Sequence, residues 1–147
     1  MLIVMRISTK GEYGLLAIID IAMQPRETAV QAVQIAARHS IPKQYLDQLM
    51  LLLRKAGLIE SLRGRQGGYR LARLPRNITL LDVVQALEGP VANQSFRSSR
   101  RKYDVNRVLK RIWDELNESE VEVLRQHTIE DICRECQQSL AVLNYDI

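Results

Sequence analysis

The chain has 147 residues, a formal net charge of +4 and two cysteines, with 46% hydrophobic and 26% charged residues. These values are typical of a globular protein with one core, and two cysteines do not make a disulfide framework. The apolar runs are too short to cross a bilayer, and charged residues follow the apolar start too soon for a secretory signal. We therefore expect a cytoplasmic protein that does not enter a membrane.

The charge is distributed unevenly along the chain. Residues 38–73 hold eight basic side chains against Asp47 and Glu60, and residues 97–111 hold seven against Asp104. Residues 112–147 hold nine acidic side chains against two arginines. A basic front half with an acidic tail favours a polyanion-binding domain joined to a second element, although either charged run alone is also typical of a solvated surface.

Two helices are predicted ahead of a short turn. Ser8-Thr9 with Glu12 indicates a helix start, apolar residues then recur at helical spacing, and Pro25 ends the segment. A shorter helix is predicted from Thr28 to Arg38. The turn His39-Ser40-Ile41 follows, and we expect His39 on the surface or beside a phosphate.

The next segment, Pro42 to Ala56, is predicted to be an amphipathic helix that begins at the proline and ends at Gly57. Its apolar residues recur at i, i+3, i+4 and i+7, which is the spacing of a stripe that faces a core. This stripe consists of Leu46, Leu49, Met50 and Leu53.

Two strand-like segments flank a glycine-rich tip between Leu58 and Leu71. Glycine tolerates positive φ, so Gly67-Gly68 is predicted to close a hairpin that carries Arg63 and Arg65 at its tip. A helix followed by a basic hairpin is the layout of a winged helix-turn-helix. The predicted fold class is therefore mainly α with a small β-hairpin wing, and the predicted function is DNA binding.

Side chains at the start of the second helix of a helix-turn-helix reach base edges in the major groove. Glutamine can pair with adenine, lysine with guanine, and aspartate with the amino group of cytosine. Arginine, and a tyrosine hydroxyl, suit phosphates. The predicted base readers are Lys43, Gln44, Asp47 and Gln48, and the predicted backbone or minor-groove contacts are Tyr45, Arg54, Arg63 and Arg65.

A capping box at Thr79-x-x-Asp82 predicts a further helix, and a polar segment with little periodicity follows it. A long helix is predicted from Asp104 to Gln126, with a heptad seam at Val105, Leu109, Ile112, Leu116 and Val123. A single apolar seam usually needs a partner, so we interpret it as a dimerisation helix; packing against its own domain is the alternative.

The last predicted helix begins with the capping box Thr128-x-x-Asp131. The predicted organisation is a winged helix-turn-helix DNA-binding domain at residues 1–88, a loop at residues 89–103, and a helical dimerisation region at residues 104–147.

Four segments together resemble the Rrf2 family of bacterial transcription regulators: Met5 to Tyr13, Ile41 to Leu49, Leu53 to Ile59, and Arg63 to Tyr69. The resemblance extends over nearly the whole chain. It implies a winged-helix homodimer that binds a palindromic operator in double-stranded DNA. It also implies that the contacts come from Gln44, Tyr45, Asp47, Gln48 and Arg63.

Many members of this family carry an iron–sulfur cluster on three cysteines in the loop before the long helix. The matching positions here are Ser95, Arg101 and Arg107, and that of an additional histidine is Lys110. None of these side chains is a thiolate or imidazole ligand, so the usual cluster site is absent. Glu12, which matches an acidic ligand in some members, is then expected to be a capping or surface acid.

A different site remains open near the C-terminus. His127, Cys133 and Cys136 could supply ligands to zinc or an iron–sulfur cluster, or the two cysteines could form a redox switch. The plainer interpretation is two reduced cysteines in an amphipathic helix, so we expect no cofactor.

The sequence contains no glycine-rich phosphate loop, no Gly-x-Ser-x-Gly elbow and no His-Glu-x-x-His motif. We therefore expect a transcription regulator that is not an enzyme. The alternative from another class is an interaction protein, whose winged domain would dock an acidic protein partner.

Overall fold

A computed structural model of the protein describes residues 7–90 and 105–145. The helices are α1 (Thr9–Met23), α2 (Ala32–His39), α3 (Lys43–Lys55), α4 (Leu80–Glu88), α5 (Val105–Gln126) and α6 (Ile129–Tyr145). Strands β1 (Ile59–Leu62) and β2 (Gly68–Leu71) form an antiparallel hairpin between α3 and α4, and a 3-10 helix (Pro75–Asn77) follows β2. This architecture confirms the predicted fold class. Within the described ranges, no helix is both long and apolar enough to span a membrane.

Side-chain caps begin three of the helices at the predicted positions. The Ser8 hydroxyl accepts a hydrogen bond from the Gly11 amide at 3.2 Å and starts α1. Thr79 and Asp82 cap α4 reciprocally, with hydrogen bonds of 2.9 and 3.1 Å. The same arrangement begins α6. These bonds satisfy backbone donors that a helix start otherwise leaves unpaired, so the local sequence specifies each start.

Helix α2 begins at Ala32, so the prediction that it starts at Thr28 was wrong. Val30 instead pairs with Tyr69 of β2 through two backbone hydrogen bonds of 2.8 Å each. This pairing places β2 between Val30 and β1. A long-range backbone pairing has overridden the local helical pattern, and it ties the wing to the segment that leads into α2.

The wing turns at residues 63–67. Gly64 has a φ of 110°, and the Gly67 amide donates to the Gly64 carbonyl at 3.0 Å. Gly68 is already the first residue of β2, rather than part of the turn as predicted. A Cβ on Gly68 would lie 2.6 Å from the Val30 carbonyl oxygen, so this glycine permits the close approach of two backbones.

The core lies between α1, α2, α3, α4 and the base of the wing. Its fully buried side chains include Ile18, Ile35, Leu46, Leu49, Leu53 and Ile78. The first half of α6 joins this core through Ile129 and Cys133, and backbone hydrogen bonds of 2.8 Å connect its start to the start of α4. The core therefore holds the start of α3 and the base of the wing in fixed relation.

Helix α5 is packed differently. It contacts α4, yet none of its residues is buried. Most of the predicted seam is exposed, with Val105 at 64%, Leu116 at 50% and Val123 at 56%. Along the described parts of the chain, α5 therefore leaves much of its apolar face uncovered.

Candidate nucleic-acid interface

Helix α3 separates an apolar face from a polar face. Leu46, Leu49 and Leu53 are 0–1% exposed and pack into the core. The predicted base readers near the start of α3, which are Lys43, Gln44, Asp47 and Gln48, are all exposed. The hydrophobic effect thus orients the helix, because burying the leucines leaves the polar side chains on the outside.

An ion pair lies on the exposed face of α3. The Lys43 ammonium donates to both carboxylate oxygens of Asp47, at 2.9 and 2.8 Å, and both side chains are about half exposed. Each group therefore limits the directions available to the other. A base contact by either side chain must therefore include the other side chain or break the ion pair. The sequence analysis considered Lys43 and Asp47 separately and did not predict this coupling.

Tyr45 anchors the start of α3. Its ring lies edge-on to that of Tyr13 in α1, with 6.0 Å between centroids and an interplanar angle of 75°. Edge-to-face contacts of this kind are favourable for aromatic rings. Tyr45 is half-buried, so it fixes α3 against α1 as well as lying beside the polar surface.

The tip of the wing carries two arginines. Arg63 and Arg65 are exposed, and no acidic side chain in the described ranges pairs with either. Glu60 pairs with Arg70 across the two strands, so it does not neutralise the tip. A cation without a carboxylate partner is available for phosphate, which is the property that a DNA-contacting wing requires.

Arg54 connects the recognition helix with the wing. Its Nη1 donates to the Ser61 hydroxyl at 3.4 Å, and Ser61 lies in β1. The side chain is exposed near the end of α3. The predicted base-reading and backbone-contacting residues thus occupy one continuous part of the fold, from α3 to the tip of the hairpin.

A buried acidic residue holds the end of α2, just ahead of α3 in the chain. Asp20 of α1 is 8% exposed and accepts hydrogen bonds from Arg38 Nε at 2.8 Å and Arg38 Nη2 at 2.5 Å. His39 Nε2 lies 2.7 Å from the same carboxylate. Burial raises the pKa of Asp20, but the Arg38 and His39 interactions outweigh it, so the pKa is below its usual value.

Sequence reasoning missed this cluster. It placed His39 on the surface or beside a phosphate, whereas His39 contacts Asp20 and is only partly exposed. One sequence feature could have revealed it, because Asp20 stands between Ala17 and Ile21 at a spacing that faces the core. A buried acid is expected to have a partner, and α2 ends on two basic residues.

The C-terminal cysteines occupy two environments. Cys133 is 8% exposed within the core, and Cys136 is exposed. Burial, with smaller contributions from Cys136 and Glu130, raises the pKa of the Cys133 thiol, which disfavours the thiolate that metals and oxidants require. Residues 7–90 and 105–145 contain no group of three or more His, Cys, Asp or Glu side chains placed to hold a metal ion, and His127 joins no such group.

The positions that match the family's cluster ligands do not fit an iron–sulfur cluster. Ser95 and Arg101 lie outside the described residues, and neither is a thiolate donor. Arg107 and Lys110 lie in α5, where the Lys110 ammonium is 2.6 Å from an Asp114 carboxylate oxygen. A donor set of one hydroxyl and three cationic groups does not ligate iron.

Known proteins resemble this chain in sequence over most of its length. The Rrf2 family model, described as an iron-dependent transcriptional regulator, matches residues 7–135. The chain is 36% identical over 128 residues to the HTH-type transcriptional regulator CymR of Bacillus subtilis, covering 87% of this chain and 89% of that protein.

Two solved structures have the same fold. The global cysteine regulator CymR of B. subtilis matches with a TM-score of 0.76 at 34% identity, covering 89% of this chain and 98% of that one. T. potens IscR matches with a TM-score of 0.76 at 37% identity, covering 92% and 91% respectively. The named relatives are transcription regulators, which supports the expectation that this protein is not an enzyme. On the family match, the chain identity and the shared winged-helix fold, the chain belongs to the Rrf2 family of transcriptional regulators.

Proposed function

We propose that the protein acts in the cytoplasm as a homodimer that binds palindromic promoter DNA in a sequence-specific manner. The observation that carries this proposal is the surface that runs from the exposed polar face of α3 to Arg63 and Arg65 of the wing, which have no carboxylate partner among the described residues. Both acids in residues 38–73 are already paired, Asp47 with Lys43 and Glu60 with Arg70. The remaining charge of the surface is therefore positive, as a phosphate backbone requires.

The start of α3 would supply the base contacts. Gln44 and Gln48 are exposed and have amide groups that suit adenine. Lys43 and Asp47 would act together, because their ion pair holds an ammonium and a carboxylate side by side. A guanine acceptor next to a cytosine amino group would suit this pair.

The wing and the end of α3 would supply the backbone contacts. Arg63 and Arg65 would bind phosphates or enter the minor groove, while Arg54 and Tyr45 would contact phosphates beside the recognition helix. Such contacts release counterions and carry little sequence information. Binding should therefore weaken steeply with salt on every duplex.

Helix α5 would join two copies of the chain. Its apolar seam is largely exposed, and its charges are polarised along the helix. Residues 105–111 carry Arg107, Lys110 and Arg111 and no acid, whereas residues 114–122 carry five acids and no basic side chain: Asp114, Glu115, Glu118, Glu120 and Glu122. An antiparallel pairing about a two-fold axis would cover the seam and bring opposite charges together.

In functional terms we propose the division into residues 1–88 for DNA binding, 89–103 for the connection, and 104–147 for dimerisation. No resident cofactor is part of the proposal, because the donor set at the family positions does not suit a cluster. Thiol chemistry at Cys133 and Cys136 would need α6 to open, since Cys133 is packed in the core.

Selection of duplexes from a random pool by the purified full chain tests the proposal, followed by titration of the selected duplex at several salt concentrations. We expect an inverted repeat, preferred over random DNA, with binding that falls steeply as salt rises. Equal affinity for all duplexes, together with stable capture of an acidic protein partner, would favour the interaction-protein alternative instead.

A further inference from the structure

The ion pair between Asp20 and Arg38 is arranged unlike the other ion pairs of the described residues. Asp20 is the one charged side chain buried among the described residues, with 5% of its side chain exposed. It holds Arg38 by two parallel hydrogen bonds, from Nε and Nη2. A bidentate fork of this kind fixes both the position and the plane of a guanidinium.

The fork occupies only one edge of the guanidinium. Nη1 has no hydrogen-bond acceptor within residues 7–90 and 105–145, and 45% of the Arg38 side chain is exposed. The carboxylate is thus covered, while nearly half of the arginine side chain is open to solvent.

Arg38 also lies close along the chain to the recognition surface. It is followed by His39, the last residue of α2, and three residues then lead to Lys43 at the start of α3. Ser40 makes this turn with a left-handed φ of 52°. In a helix-turn-helix bound to DNA, the first helix crosses the phosphate backbone while the second enters the major groove.

We propose that Asp20 presets Arg38 as a phosphate clamp, so that α2 contributes a contact to the DNA backbone through the free edge of the Arg38 guanidinium. Asp20 is then a positioning residue and does not touch DNA. A preset arginine loses less side-chain freedom when it binds than a mobile one does. This inference rests on the proposed DNA-binding function and adds a residue outside α3 and the wing.

The salt dependence of DNA binding separates this role from a purely structural one. Arg38→Gln should weaken binding to selected and random duplexes alike by about tenfold, and should reduce the slope of log affinity against log salt by about one. The matched control is Arg134→Gln in α6, which removes another arginine paired with an aspartate, Asp131, outside the helix-turn-helix. It should leave the slope unchanged.

Asp20→Asn gives a second test, in which the clamp and a simple net-charge effect predict opposite changes in DNA affinity. Removing a negative charge near DNA should tighten binding if only the net charge matters. The clamp predicts weaker binding, because Arg38 is no longer held. Should Arg38→Gln fail to fold, Arg38→Lys keeps the charge without the fork, and it should bind more weakly than wild type at an unchanged slope.

The outcomes distinguish this inference from the function on which it rests. If the wild-type protein selects no duplex, the proposed function fails and the clamp fails with it. If the wild type binds with a steep salt dependence but Arg38→Gln keeps the full slope, or Asp20→Asn binds more tightly, only the clamp is overturned.

Discussion

Helices α3 and α5 are both amphipathic, but the rest of the fold covers the apolar face of α3 and leaves most of the apolar face of α5 exposed. The leucine stripe of α3 is 0–1% exposed beneath α1, α4 and β1, and its polar face is open. The apolar seam of α5 is largely open, with Val105 at 64% and Leu116 at 50% exposed, although the helix also contacts α4.

This difference indicates the kind of partner that each helix suits. A polar face on a helix held rigidly from behind can present hydrogen-bonding groups to DNA at defined positions. An uncovered apolar seam gains most from a matching apolar seam, and a second copy of the chain supplies one. Under the proposed function, α3 would therefore contact the bases and α5 would join two copies of the chain.

The largest expected effect is on assembly. Leu116→Glu puts a carboxylate into the proposed dimer seam of each copy, and an unpaired buried charge costs about 3–5 kcal/mol. We expect monomers in analytical ultracentrifugation, with the circular dichroism of each chain preserved. Val33→Glu on α2, at another exposed apolar residue, is the control and should leave the oligomeric state unchanged. A Leu116→Glu protein that sediments like the wild type would contradict the role assigned to α5.

The next effect is on folding and concerns the covered side of α3. Leu49 is 1% exposed, so Leu49→Ala removes buried surface and leaves a cavity. We expect the free energy of unfolding, measured in urea, to fall by about 2–5 kcal/mol. Leu51→Ala on the same helix, where the side chain is 41% exposed, should cost much less. Similar losses of unfolding free energy for the two variants would mean that the core does not pack against one face of α3 alone.

The open side of α3 should affect specificity more than stability. Gln44→Ala should reduce discrimination between the selected duplex and its single-base variants by about 1–3 kcal/mol at one position. Arg63→Ala is the contrasting variant, because loss of a phosphate contact should weaken binding to all duplexes and lower the salt slope by about one. Equal losses for Gln44→Ala on selected and random DNA would remove it from the base readers.

The smallest effect concerns the buried carboxylate of Asp20, which holds the end of α2. Asp20→Asn removes the negative charge and replaces one of the two acceptor oxygens by an NH2 donor, so one hydrogen bond from Arg38 is lost, and the change should cost about 1 kcal/mol of unfolding free energy at neutral pH. The pKa of Asp20 is lowered by folding, so its stabilising contribution is present above the pKa of the unfolded chain and is lost as pH falls through the folded value. The gap between wild type and variant in urea should therefore close in acid; a gap that widens there would reverse the assigned sign.

Local patterns predicted the parts of this fold that local physics determines. The leucine spacing and the glycine at position 57 predicted a helix over Pro42 to Ala56, and α3 spans Lys43–Lys55. Gly57 has a φ of 72°, as a glycine that ends a helix often does. Patterns failed where distant residues decide. Val30 pairs with Tyr69 across the fold and removes the first turn predicted for α2.

The candidate site divides in the same way. Exposure of the polar residues on α3 follows from their position off the leucine stripe, so the sequence was sufficient to predict that face. The support from Asp20 requires α1 and α2 to pack together, and the ion pair of Lys43 with Asp47 depends on the rotamers of both side chains. The contact of Asp20 cannot be read from one segment, whereas the four-residue spacing of Lys43 and Asp47 on α3 is one that allows an ion pair.

The most direct test of the account is hydroxyl-radical footprinting of the selected duplex with the wild-type protein, combined with the stoichiometry of the complex. If α5 joins two copies, each with its own α3 and wing, two protomers should protect two symmetric half-sites separated by about one helical turn or a multiple of it. One protomer on a single unsymmetric footprint would contradict the account.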